Sequence, residues 1–125
     1  TTFDVVDHDG AYIGGVIAPG VNLSLQALHR MAAALPHVDI AKPKEVIGKN
    51  TVSCMQSGVF WGYIGLVKEI CRKIKEEKRE TMKVVATGGL APLLQSTEAL
   101  FENVDENLTM QGLRLIFDYN KSIES

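Results

Sequence analysis

The residues best suited to chemistry in this chain lie in one stretch, Ile47 to Gly58, which reads Ile-Gly-Lys-Asn-Thr-Val-Ser-Cys-Met-Gln-Ser-Gly. Polar residues here run straight into a helix-period segment, so Asn50 or Thr51 can cap a helix by accepting a hydrogen bond from a first-turn N–H. The remaining N–H groups and the positive end of the helix dipole would then face outward, an arrangement that suits an anion. The same pattern also opens many helices that bind nothing. A second stretch has a related logic: the β-rich run Met82 to Thr87 leads into Gly88-Gly89 and then the apolar Leu90 to Leu94. Strand, glycine turn and helix in that order let backbone approach a nucleotide, and equally describe an ordinary strand-to-helix turn. The three histidines and two cysteines show no metal-ligand spacing. Gly-x-Ser-x-Gly, a Walker-type loop and a complete dinucleotide glycine fingerprint are all missing from the sequence.

These two turns need elements to hold them. Thr1 to Val6 and Ala11 to Ala18 are rich in β-branched and aromatic residues and flank Asp7-His8-Asp9-Gly10, which predicts an antiparallel hairpin with His8 in a solvated turn. Gly14 and Gly15 within the second strand mark a bulge, a close approach by another backbone, or a simple bend. After Pro19-Gly20 a helix is expected from Asn22 or Ser24 to Leu35, with Leu25, Leu28, Met31, Ala32 and Leu35 on one apolar face and His29 and Arg30 off it. Pro36 ends it, and His37 to Val46 reads as an irregular connection with one extended piece at Val38 to Ile40.

A long helix over Thr51 to Glu80 has two unlike halves. Up to Val67 it is nearly free of charge, which predicts cover on more than one side; beyond Lys68 it alternates lysine, arginine and glutamate around Ile70 and Ile74, a solvated face. Gly58, Gly62 and Gly65 form a stripe without side chains, and each costs about 1 kcal/mol in a helix. A second helix packing there, from the same fold or from another copy, would offset that. Ser96 to Glu106 is polar and acidic with Leu100, Phe101 and Val104 as anchors, and a last helix after Asn107 is expected to bury Leu113, Ile116 and Phe117.

At 125 residues the chain has the size of one domain with a real core, and its net charge of −2 gives no basic field for nucleic acid. No apolar run reaches the roughly 20 residues that span a bilayer. Cys54 and Cys71 fall on the same expected helix, about 25 Å apart along its axis, too far for a disulfide. Two cysteines that cannot join in a disulfide point to a reducing, cytoplasmic setting. Thr1 opens directly in a strand-like run, as a domain cut from a longer chain would.

Residue types and periodicity therefore yield an α/β fold with two ligand-facing turns. Several of its segments together resemble the carboxy-terminal half of the type III pantothenate kinase family, part of the actin-like, ribonuclease H-like ATPase superfamily. Thr1-Thr2-Phe3-Asp4 resembles the end of the family's phosphate motif, and Gly14-Gly15-Val16-Ile17-Ala18-Pro19-Gly20 its hairpin exit. Ala27-Leu28 through Ala34-Leu35-Pro36 is similar to the helix that comes next. Ile47-Gly48-Lys49-Asn50-Thr51 with Met55-Gln56-Ser57-Gly58 and Gly62 is the most specific match. Ala86-Thr87-Gly88-Gly89 resembles the adenosine motif, and Leu108-Thr109 with Gly112-Leu113 the start of the terminal helix.

The resemblance implies ATP-dependent phosphorylation of pantothenate, the first step of coenzyme A synthesis, with magnesium and a monovalent cation, potassium or ammonium. It implies that Thr51 contacts pantothenate, that Gly88 and Gly89 lie against the nucleotide, and that Thr1 and Thr2 sit beside its phosphates. It also implies a homodimer whose interface candidates are the glycine-lined helix and the Leu28 to Leu35 helix. Residues 1–125 would be the carboxy-terminal ATPase-like domain of a larger two-domain kinase. The catalytic aspartate, the amino-terminal phosphate loop and the Asp-x-Gly that precedes the threonines would lie upstream of Thr1, leaving no catalytic residue in this chain and no metal ligand assigned to it; Asp4, Asp7 and Asp9 read as structural or solvated. The competing expectation is a non-catalytic, transcription-regulatory relative that acts through dimerisation.

Overall fold

The computed structural model describes residues 1–32 and 35–123. Ala33 and Ala34, within the span expected for the first helix, lie outside the described residues, as do Glu124 and Ser125. The chain is mixed α/β and divides into two compact units, Thr1–Ile74 and Lys75–Ser125.

The first unit opens with the expected hairpin. Strands β1 (Thr2–Val6) and β2 (Tyr12–Ile17) pair antiparallel from Thr2 opposite Ile17 to Val5 opposite Gly14. Val6 then faces Tyr12, so Ile13 is an extra residue and the strand bulges. Gly14 takes φ +125° at this bulge, a conformation that side chains disfavour. Gly15 serves the other purpose predicted for the pair: a Cβ there would run into the carbonyl of Phe3 across the ladder. The turn is held by Asp7, whose Oδ1 accepts from the N–H groups of Asp9 and Ala11 at 3.0 and 2.9 Å, and by Gly10 at φ +83°. His8 is solvated, as expected.

Helix α1 (Val21–Met31) begins where Gly20 O accepts from both the N–H and the hydroxyl of Ser24. It ends four residues short of the expected Leu35: Ala32 turns extended while its N–H still bonds Leu28 O. Two contacts favour the early stop. Pro36 disfavours helical backbone at Leu35, and the His29 Nδ1–H donates to Leu35 O at 2.7 Å, folding the chain back. Of the predicted apolar face Leu25 is buried, together with Val21, while Leu28 and Met31 are exposed, Met31 at 88 %. No strand forms at Val38 to Ile40; Val38 is buried there as a single anchor.

Helix α2 (Thr51–Lys78) matches its expected span to within two residues. Met55, Phe60, Tyr63, Ile64 and Val67 are buried along one broad side, with Phe60 fully enclosed and Trp61 set edge-on to it. Val59, Trp61 and Leu66 are half-buried flanks. The strip of Gly58, Gly62 and Gly65 is exposed, and a Cβ on any of them would meet open space. Among the described residues no helix fills the glycine groove, and the expected cover on more than one side is correspondingly incomplete.

The second unit holds the charged end of α2, where Lys75 Nζ pairs with Glu102 at 3.6 Å. Strand β3 is two residues, Val85–Ala86, shorter than the run of β-formers that predicts it. Its partner β4 (Asn103–Val104) runs parallel to it, Val85 beside Asn103 and Ala86 beside Val104. Glu102 locks this pairing: its N–H bonds Val84 O at 2.9 Å and its Oε2 accepts the Val84 N–H at 2.6 Å. Between the strands in sequence comes α3 (Ala91–Gln95), where Ala91 and Leu94 are buried, as is Phe101 beyond it. Last comes α4 (Leu108–Ile123), starting at the predicted residue. Its predicted burial fails: Leu113, Ile116 and Phe117 are 56 %, 61 % and 65 % exposed.

Candidate functional site

The start of α2 is built by a reciprocal cap. Asn50 Oδ1 accepts the Ser53 N–H at 2.9 Å, while Ser53 Oγ accepts the N–H groups of Lys49 and Asn50 at 3.0 and 3.2 Å. The same hydroxyl donates to Asn50 O at 3.0 Å. This is the capping-box exchange with serine in the third helical position, where glutamate is the usual partner. Asn50 is thus the cap, and Thr51 is the first helical residue, exposed to solvent. Gly48 lets the preceding loop press onto this turn, since a Cβ there would stand 2.6 Å from Ser53 C and closer still to Cys54 N. Downstream, Ser57 Oγ donates to Val46 O and Gln56 Nε2 to Asp39 O, so two side chains of α2 hold the loop that leads into it. The sequence places Ser53, Ser57 and Gly48 in the stretch that matters but gives none of them a structural role of its own. The Asn50-x-x-Ser53 spacing carried the signal for the first; the other two act through the shape of a loop that has no periodicity.

Thr1 and Thr2 stand at the open end of the hairpin. Thr1 is clamped to Ala18 by two backbone bonds, its amino group to Ala18 O and the Ala18 N–H to Thr1 O, both 2.9 Å. Its hydroxyl also shares a hydrogen bond with the Tyr63 hydroxyl. Burial pushes the Tyr63 phenol above its ordinary pKa, so it stays protonated through the neutral range. Thr2 Oγ1 reaches Asp4 Oδ2 at 3.4 Å. Tyr63 lies twelve residues beyond Thr51, about 18 Å along the helix axis. Thr1 is therefore anchored at mid-helix, and its contacts and those of Thr51 are separate. Tyr63 is a further residue that sequence reading assigned to the core alone.

Gly88 and Gly89 belong to the second unit. Gly88 adopts φ +100°, which only glycine takes readily, and its carbonyl accepts the Ala91 N–H at 3.1 Å. Both glycines are exposed with open space where a side chain would be, which leaves backbone available for close approach by a flat ligand. This turn comes after β3 as predicted. The carboxyl that stabilises its strand, Glu102, is held below the ordinary carboxylate range, chiefly because the Val84 N–H donates to it, with the Lys75 ammonium adding to the effect.

Among the described residues no three side chains of His, Cys, Asp or Glu gather as a metal site. Nor is any helix among them long and apolar enough to cross a membrane. Cys54 and Cys71 both lie on α2 and form no disulfide, in accord with their spacing.

Comparison with known sequences gives this geometry a context. The sequence model described as type III pantothenate kinase matches residues 1–73, which contain Thr1, Thr2 and the whole start of α2. A relative named type III pantothenate kinase from Roseobacter denitrificans is 70 % identical over 124 residues, 99 % of this chain and 48 % of the relative. One of the same name from Ruegeria pomeroyi is 70 % identical over 121 residues, covering 97 % and 47 %, and one from Paracoccus denitrificans 65 % over 123 residues, covering 98 % and 48 %. The chain spans about half the length of the curated relatives it matches. With a match that takes in more than half of its residues and runs through the capped start of α2, the chain belongs to the type III pantothenate kinase family.

Proposed function

We propose that this chain is the substrate- and adenosine-facing part of an enzyme that phosphorylates pantothenate with ATP, the first step of coenzyme A synthesis. The observation that carries the reading is the start of α2: within the family match, the only hydroxyl-bearing residues of the first turn are Thr51 and Ser53, and the cap engages Ser53 while leaving Thr51 exposed. In this reading the Thr51 hydroxyl hydrogen-bonds pantothenate, and the dipole of α2 favours an anionic group beside it. Gly88 and Gly89 present bare backbone to the nucleotide. Thr1 and Thr2, fixed at the open end of the hairpin, flank its phosphates.

The ribonuclease H-like architecture, the larger two-domain kinase to which residues 1–125 would contribute the carboxy-terminal ATPase-like domain, the homodimer and the cytoplasmic setting belong to the same proposal. So do magnesium and a potassium or ammonium ion, whose ligands are expected outside these residues together with the aspartate that takes the proton from the pantothenate hydroxyl. What this chain's residues do is bind and orient. In such phosphoryl transfer, positioning and charge stabilisation supply nearly all of the catalysis.

Thr51→Val in the complete enzyme tests the assignment, because it removes the hydroxyl and keeps the shape. Thr51 is exposed and the cap runs through Asn50 and Ser53, so folding should be unchanged. Pantothenate use should fall by about 1–3 kcal/mol in kcat/KM, the cost of an unmet polar partner. Wild-type kinetics with pantothenate in the variant would remove Thr51 from the site.

A further inference from the structure

The phenol of Tyr63 is a polar group set among apolar neighbours. The residue is 7 % exposed, and Phe60, Ile64 and Val67 on the same broad side of α2 are buried more deeply still. Phenylalanine would pack there without the desolvation of a hydroxyl. The hydroxyl of Tyr63 is met by that of Thr1, 62 residues earlier. Both ends of this bond are fixed, since Tyr63 sits within α2 and the Thr1 backbone is held to Ala18 by two bonds of 2.9 Å.

The direction of the protons separates the two threonines at the open end of the hairpin. Side chains alternate along a strand, so Thr1 and Thr2 look to opposite faces, and Thr2 shares its face with Asp4. Thr2 Oγ1 donates to Asp4 Oδ2 at 3.4 Å: its proton points at a carboxylate, whose charge repels an anion. Thr1 is placed differently. A phenol is a stronger acid than an aliphatic hydroxyl and the better donor of the two, while the threonine oxygen is the better acceptor. With the phenol donating, Thr1 Oγ1 accepts and keeps its own proton for another partner. A hydroxyl that accepts one hydrogen bond also donates the next more strongly. Thr1 is exposed, so a ligand can reach that proton, and burial keeps the Tyr63 phenol protonated.

We infer that Tyr63 is a positioning residue for ATP: by donating to Thr1 Oγ1 it turns the Thr1 hydroxyl proton outward, onto a phosphate oxygen. The inference rests on the proposed place of Thr1 beside the phosphates and adds to it the group that sets the hydroxyl.

Variants of the complete enzyme test it. Tyr63→Phe keeps the ring and deletes the donor, so kcat/KM for ATP should fall about three- to tenfold while KM for pantothenate stays within about twofold of the parent. In a Thr1→Val background the same substitution should cost nothing further, because the hydroxyl it orients is gone. Difluorotyrosine at position 63 has a more acidic phenol that ionises in the assay range. A phenolate only accepts, so Thr1 must then turn its proton inward. That enzyme should match the parent at low pH and lose kcat/KM for ATP along a one-proton limb that the parent lacks as pH rises, with its thermal stability kept. A packing role alone produces no such limb.

Thr1→Val with parent kinetics for ATP would take Thr1 away from the phosphates and overturn both that reading and this inference. A defective Thr1→Val enzyme beside a Tyr63→Phe enzyme of parent activity would overturn the inference and leave Thr1 at the phosphates. Equal costs of Tyr63→Phe in the two backgrounds, or a fluorinated enzyme without the limb, would do the same. Should Tyr63→Phe fail to fold, the fluorinated enzyme, which keeps ring and hydroxyl, decides the matter.

Discussion

Replacing Asn50 by alanine tests whether the reciprocal cap holds the start of α2. The substitution deletes the acceptor for the Ser53 N–H, a 2.9 Å bond, and frees the serine hydroxyl to lose its registration on the N–H groups of Lys49 and Asn50. These groups are exposed, so water replaces part of what is lost, and the cost should sit near the middle of the range for caps, about 1 kcal/mol. Ser53→Ala removes the other half and should cost a similar amount. Because each side chain orients the other, the double variant should cost less than the sum by about 0.5 kcal/mol or more. Urea unfolding monitored by far-ultraviolet circular dichroism reads this as a midpoint shift of roughly 0.5 M at a slope near 2 kcal/mol/M. Asn50→Asp keeps the acceptor and adds a charge that the helix dipole favours, so it should match or exceed the parent. An alanine variant within about 0.3 kcal/mol of the parent, or an aspartate variant as unstable as alanine, would refute the argument.

Gly15→Ala should destabilise the hairpin by about 1–3 kcal/mol, because its Cβ meets the Phe3 carbonyl and the ladder must open; thermal unfolding reads it, and an unchanged midpoint would contradict the close approach. Gly88→Ala meets no obstruction but must hold φ +100°, so in the complete enzyme it should raise the KM for ATP several-fold with little change for pantothenate, and an effect on pantothenate alone would misplace the turn. Glu102 titrates below its unfolded value, so its contribution is present above about pH 4.3 and is lost as pH falls through the lower folded value. Glu102→Gln should therefore flatten the acid limb of the stability profile, and superimposable profiles for the two proteins would show that the carboxylate is not held as described.

What could be foreseen depends on the range of the interactions involved. The hairpin, the start of α2 and the turn at Gly88 rely on neighbours within a few residues, and Asp-Gly, Asn-x-x-Ser and Gly-Gly announce them. Strand β4 did not announce itself, because two residues, Asn103 and Val104, have no period of their own and become a strand only through Val84 to Ala86 and the Glu102 carboxylate. The end of α1 depends on Pro36 and on His29 reaching back to Leu35 O, contacts outside the helical repeat that predicted a longer element. Leu113, Ile116 and Phe117 show a third limit. Periodicity tells which face of a helix is apolar, and burial depends on whether something stands opposite, which no pattern within α4 encodes. The proposed Thr51 site lay between these cases: the sequence offered Asn50 and Thr51 as equal caps, and only the Asn50–Ser53 geometry separated them.

That separation has a consequence for specificity. Thr51 and Ser53 are two positions apart on a helix, so their side chains leave the axis about 160° from each other. The hydroxyl that closes the turn and the one left to solvent therefore look in nearly opposite directions. In the proposed reading, pantothenate can come and go at Thr51 without unlatching the helix, and the latch can be altered chemically without presenting a rival donor to that molecule. Such a surface can change what it grips by changing one side chain, while the scaffold beneath it keeps the same stability.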